Sequence, residues 1–212
     1  MEDSNLNELH KYKGSGDLEK SSQPEFEELR LKPVSSIVKR KLILNVVIET
    51  TLSIVFYHYY EKIEEVNLLL APALLGASTA ALAQSFNQAQ KLKYSINRVL
   101  KFTVWGIING TLTALWINLL MQRIKNLSYR ILVDQLLGVP IFQLIFNVLN
   151  SLWDQGELGS NTRINYLKAL RYSYFFWPFF SICLFLFFPQ RVMFPANCLA
   201  NLIWNLILSM IA

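Results

Sequence analysis

Asn197, Asn201, Asn205 and Ser209 stand four residues apart in a stretch that is otherwise apolar. On a helix that spacing puts all four on one face with a slow drift. Gln143, Asn147 and Asn150 repeat the pattern, and Glu49 aligns with Asn45 and Ser53 on a third helical face. Amides and hydroxyls in such stripes donate and accept hydrogen bonds. Two uses fit them. They can join helices across a bilayer, at about 0.6 kcal/mol per contact, or they can line a wet path for a polar solute. Thr103, Gly106, Gly110 and Thr113 form a further face, and its Gly106–Gly110 GxxxG permits close helix approach.

Catalytic constellations are missing from the sequence. There is no HExxH, no GxSxG, no phosphate-binding glycine loop and no GxGxxG. His10 and His58 are isolated, and Cys183 and Cys198 lie inside apolar stretches, so no metal-ligand spacing exists. The expectation is a protein with no enzymatic activity, no metal and no cofactor. The formal net charge of +5 sits in short basic loops beside apolar segments. That placement points to anionic lipid headgroups and away from nucleic acid.

The elements that must carry these stripes are membrane helices. Of the 212 residues, 53% are hydrophobic, and the mean hydropathy is +0.30. Uncharged runs cover 66–88, 102–122, 135–153, 172–190 and, after Arg191, 192–212. A hydrocarbon core of ~30 Å takes about 20 helical residues. The fold expected is therefore an all-α polytopic transmembrane bundle of 4–6 membrane helices. Its segments fall at about 42–60, 66–88, 102–122, 131–153, 172–190 and 192–212. Segment 42–60 contains Glu49 and His58, and it either spans or lies at the interface. Residues 1–38 read as a solvated, largely disordered acidic tail, and 39–212 as the bundle. The tail resembles neither a cleaved presequence nor a secretory signal, and the C-terminal SMIA is not a peroxisomal tripeptide. Targeting is expected to be internal. Lys39-Arg40-Lys41 serves either as that signal or as a positive-inside anchor.

Six crossings best satisfy the positive-inside rule. They place Arg30, Lys32, Lys39, Arg40, Lys41, Lys91, Lys93, Arg98, Lys101, Arg163, Lys168 and Arg171 on one side. Lys62, Arg123, Lys125, Arg130 and Arg191 fall on the other, twelve against five. Five crossings would give ten against seven. Asp134 lies four residues after Arg130, a helical ion-pair spacing, and at the expected start of a helix, where an anion is favoured. Pro178, directly after Trp177, marks either a fixed kink or a helix start.

The C-terminal third resembles the Mpv/PMP family of mitochondrial inner-membrane and peroxisomal membrane proteins. The matching string is Arg130, Asp134-Gln135, Pro140, Trp177-Pro178, Pro189 and Trp204-Asn205, followed by Leu208-Ser209. Gly110 and Trp116 fit the family's second membrane segment, and Gln88 the end of its first. The chain departs from the pattern after Trp-Pro, where Gln and then Asn-Phe give way to Ser181, Leu184 and Phe185. The resemblance implies a multi-helix organellar membrane protein, in the mitochondrial inner membrane or the peroxisomal membrane, with a channel-like role for small polar solutes. The alternative is a non-conducting scaffold that recruits a protein partner through its N-terminal tail. Either form lies in the lipid bilayer and is compatible with a homo-oligomer.

Overall fold

The computed structural model describes residues 36–211, without the side chains of Asn205 and of 207–211. The acidic tail therefore lies outside the described residues, apart from 36–38. Those three are helical, so the helix starts before the expected boundary at residue 39. From Ile37 onward the chain forms one compact unit.

Every regular element in the described residues is helical. Helix α1 runs Ser36–His58 and α2 Tyr60–Val66; α3 is Leu70–Lys91 and α4 Ile96–Arg123. Helix α5, Leu127–Val133, passes through a π-helical turn, Asp134–Gly138, directly into α6, Val139–Gln155. Helices α7, Ser160–Phe187, and α8, Gln190–Ile211, follow. Four rods have the length and apolarity to cross a membrane: α1, α4, the continuous Leu127–Gln155 and α7. The chain is an integral membrane protein. The 28-residue α4 and α7 are each about 42 Å long at 1.5 Å per residue, longer than the hydrocarbon core.

The expected segments 66–88 and 192–212 correspond to α3 and α8, neither of which is among those four rods. For α3 the reason is visible in its burial. It packs chiefly against α4 and α8, and Ser78, Gln84, Ser85 and Gln88 are buried. A helix wrapped by protein can carry polar residues that a lipid-facing one cannot. Its contact with α4 is backbone on backbone. A methyl group on Gly76, Gly106 or Gly110 would collide with main-chain atoms of the opposite helix. The GxxxG of α4 thus meets Pro72 and Gly76 of α3, the arrangement that lets two helices approach closely.

Short connections are fixed by side chains. The Gln88 amide donates to Ser95 O at 3.0 Å and accepts from Ser95 N at 2.7 Å, which clamps the α3–α4 turn. Asn126 caps α5 by accepting from Tyr129 N. Gly156, with φ of 76°, terminates α6 in the left-handed region. Tyr60, Ala71, Leu75, Ala114, Phe194 and Cys198 form one apolar cluster. Ile117, Leu120, Leu184, Phe185 and Met193 form another. Both cysteines are free, Cys183 exposed and Cys198 buried.

Two sequence expectations change. Helix α7 begins at Ser160, twelve residues before the expected segment at 172. Arg163, Lys168 and Arg171 are therefore in its first half, on a helix rather than in a loop. Apolarity marks where lipid begins, while the helix itself continues into the charged zone. Pro178 is inside α7, with helix continuing to Phe187, so the reading as a helix start is overturned. Hydrogen bonding on either side holds the helix through the one donor that proline lacks.

Candidate functional site

Pro140 sets up the site. It cannot donate to Leu136 O, and its ring crowds the preceding turn. The chain answers with a π turn, in which Val139 N–H bonds back to Asp134 O, five residues earlier. That releases Gln135 O from its helical partner. The Tyr174 hydroxyl of α7 donates to it at 3.2 Å. Single π turns recur at functional sites, and this one turns Asp134 and Gln135 inward.

The Asp134 carboxylate collects three donors. Trp116 Nε1 of α4 bonds Oδ1 at 2.8 Å. Gln135 Nε2 reaches Oδ2 at 3.1 Å, and the Ser181 hydroxyl of α7 donates to the same oxygen. Gln135 Nε2 also bonds Ser181 Oγ at 2.8 Å, while its own Oε1 is buried without a donor. Gly138 makes the indole contact possible. A Cβ there would stand 2.8 Å from both Trp116 Nε1 and Asp134 Oδ1.

The expected Arg130–Asp134 ion pair does not form. Arg130 donates through Nε and Nη2 to Ile124 O, at 3.2 and 2.7 Å, and its guanidinium lies 5.6 Å from the Phe185 ring centre. Ile124 follows the last turn of α4, where open carbonyls favour a cation. Nor does Asp134 start a helix, because α5 runs into it. The i,i+4 spacing is present, but Ile124 O claims Arg130 and donors from α4 and α7 claim Asp134.

Beside this cluster lies a cavity of about 110 Å³ enclosed by α4, the π turn with α6, α7 and α8. At about 30 Å³ per water, it has room for roughly three or four. Its polar wall contains Asn109, Thr113, Asp134, Gln143, Ser181, Asn197 and Asn201. Trp105, Trp116, Trp177 and Trp204 contribute the aromatic wall, with Phe142, Phe146 and Phe180. Trp177 and Trp204 centroids are 6.3 Å apart, and Trp105 packs 5.1 Å from Phe146.

The stripes reach this cavity unequally. Gln143, Asn197 and Asn201 line it, and Asn201 Nδ2 donates to Asn197 Oδ1 at 2.7 Å. Asn147 is buried and bonds back to Gln143 O. Asn150 is taken by a different group, the Lys101 ammonium, at 2.8 Å. Gly106 and Gly110 serve the α3 contact. The side chains of Asn205 and Ser209 lie outside the described residues. Glu49 is on α1, away from the cavity. Thr50 and Ser53 beside it line a separate apolar groove of about 840 Å³ between α1, α3, α7 and α8. Of the family-motif residues, Asp134, Trp177 and Trp204 line the cavity. Gln135 and Arg130 support it from behind, Pro140 and Pro178 shape its walls, and Pro189 lies between α7 and α8.

By its sequence neighbours Lys101 belongs with the basic loops. It is in α4, with its side chain only 8% exposed, and its ammonium holds Asp154 at 2.8 Å. This is the one ion pair among the described residues. Trp153 Nε1 donates to Asn97 Oδ1 next to it. Together they clamp the N-terminal end of α4 to the C-terminal end of α6. No sequence signal marks the pair, since 53 residues separate its members.

Ser181 and Asp134 are hydrogen-bonded, and no histidine lines the cavity. The cavity can hold and orient a polar molecule in an apolar bundle.

No protein-family model matches the chain, and no solved structure matches it significantly. It is similar to PXMP2/4 family protein 3 of Dictyostelium discoideum, with 26% identity over 151 residues, or 68% of this chain and 81% of that protein. Together with the string from Arg130 to Trp204-Asn205, that match makes this multi-pass chain similar to the Mpv/PMP family.

Proposed function

We propose that this protein is a channel-like membrane protein for small polar solutes in an organellar membrane, peroxisomal or mitochondrial. One observation carries the reading. Polar residues from four separate helical elements, α4, the π turn with α6, α7 and α8, converge on a single internal cavity. Interhelical glue needs only pairwise contacts, whereas shared space lined by amides suits a passing solute. The similarity to PXMP2/4 family protein 3 points the same way. In the conformation described, the space is a chamber. Trp105, packed against Phe146, is part of its wall.

The test is conductance and solute flux of the purified full chain in bilayers, beside an Asn197→Leu/Asn201→Leu double variant. Discrete openings that this folded variant loses are the expected result. Unchanged flux in the variant, or silence from folded wild-type protein, removes the pathway and leaves the non-conducting scaffold.

A further inference from the structure

The Asp134 carboxylate is half-buried in the bundle, with hydrogen-bond donors on both oxygens and no cationic partner among the described residues. Trp116 and Gln135 can only donate through the nitrogens involved, which is the surrounding an ionised, acceptor-only carboxylate needs. Buried charges are as a rule paired, because an uncompensated one is costly. The nearest candidate, Arg130, is turned to Ile124 O. No other charged side chain lines the cavity, and four of the chain's five tryptophans do. The π faces of tryptophan attract cations, most strongly where water is excluded. The carboxylate and the tryptophan side chains line the same 110 Å³.

We infer that the cavity is a binding site for a small organic cation, with Asp134 as its counter-charge and Trp105, Trp116, Trp177 and Trp204 as its cage. The inference rests on the proposed pathway for its route of access, and it specifies which solutes are retained there. A compact substituted ammonium fits both the volume and the walls. A small anion meets the carboxylate and the ring faces and is excluded. A neutral polyol finds the amides of Asn109, Gln143, Asn197 and Asn201 but gains nothing from the charge.

The experiment titrates the full-length protein in detergent with tetramethylammonium chloride, with sodium acetate and glycerol as comparisons, and reads tryptophan fluorescence. A saturable change with tetramethylammonium alone is expected. Asp134→Asn should weaken it by at least about tenfold, the scale of one lost charge partner at short range. Asn109→Asp adds a second carboxylate to the wall and should tighten it several-fold. It also keeps the question decidable should Asp134→Asn fail to fold. An equal response to acetate or glycerol overturns the inference, as does the absence of saturation or an Asn109→Asp affinity equal to wild type. Flux measured on the same preparation separates the two readings. Selective binding without flux retains the cation site and removes the pathway, while flux without selective binding does the reverse.

Discussion

Gly138 decides whether two other residues can meet. Its missing side chain leaves the space through which the Trp116 indole reaches Asp134. Gly138→Ala should therefore break that hydrogen bond or push the π turn outward, at a cost of about 1–3 kcal/mol. A thermal melt in detergent measures it. Gly159→Ala is the comparison, since nothing lies within 4 Å of a Cβ there; it should lower the midpoint only by the loss of a glycine N-cap on α7. Ser181 belongs to the same scale. It stands where the family usually has Gln, and its hydroxyl is the donor that ties α7 to Asp134. The departure from the pattern thus has a structural use.

At the scale of elements, two contacts hold the bundle in different ways. Helices α3 and α4 meet through glycine backbones, so any added atom forces them apart. Gly110→Ala should lower stability by about 1–3 kcal/mol, read as the loss of folded protein on heating. The α4–α6 contact depends on charge instead. Asp154→Ala leaves the Lys101 ammonium buried with only Asn150 beside it, which should cost about 1–3 kcal/mol for an unsatisfied buried donor. Replacing both, as Lys101→Met with Asp154→Leu, should recover most of that loss, because the isolated charge is gone. A double-mutant cycle on melting temperature checks the pair. A full loss in the double variant would mean that the clamp is needed for reasons other than charge.

The whole molecule brings its basic ends together. Lys41 Nζ lies 5.8 Å from the Tyr94 ring centre, between α3 and α4. Lys101 binds Asp154, and Thr162 bonds Ser151 across the α6–α7 connection. The start of α1, the α3–α4 turn and the α6–α7 turn therefore share one end of the bundle. If six segments cross, this end would lie on the positive side of the membrane, which cysteine labelling tests. Cysteines placed at Ser95 and Gly159, with Cys183→Ser and Cys198→Ala, should react with an impermeant reagent from one side of the membrane. A cysteine at Lys125 should react only from the other. Labelling of Ser95 and Gly159 positions from opposite sides would reject the arrangement.

Helical class and membrane residence were legible in the residues themselves, because uncharged runs of bilayer length permit few other structures. The same holds for the GxxxG face, and for the family string from Arg130 to Trp204-Asn205. Stripe spacing also told which amides share a helix face. It could not tell which stripes face each other. Asn147 and Asn150 continue the helical stripe of Gln143, yet of the three only Gln143 lines the cavity, because the neighbouring helix decides what each turn meets. The Arg130–Asp134 spacing is equally real, and partners from α4 and α7 override it. Lys101 with Asp154, Trp116 with Asp134, and Gln135 with Ser181 join positions far apart in the chain or hidden by ordinary composition. Periodicity constrains one helix at a time, and only packing several helices together brings a carboxylate, four indoles and a set of amides around one space.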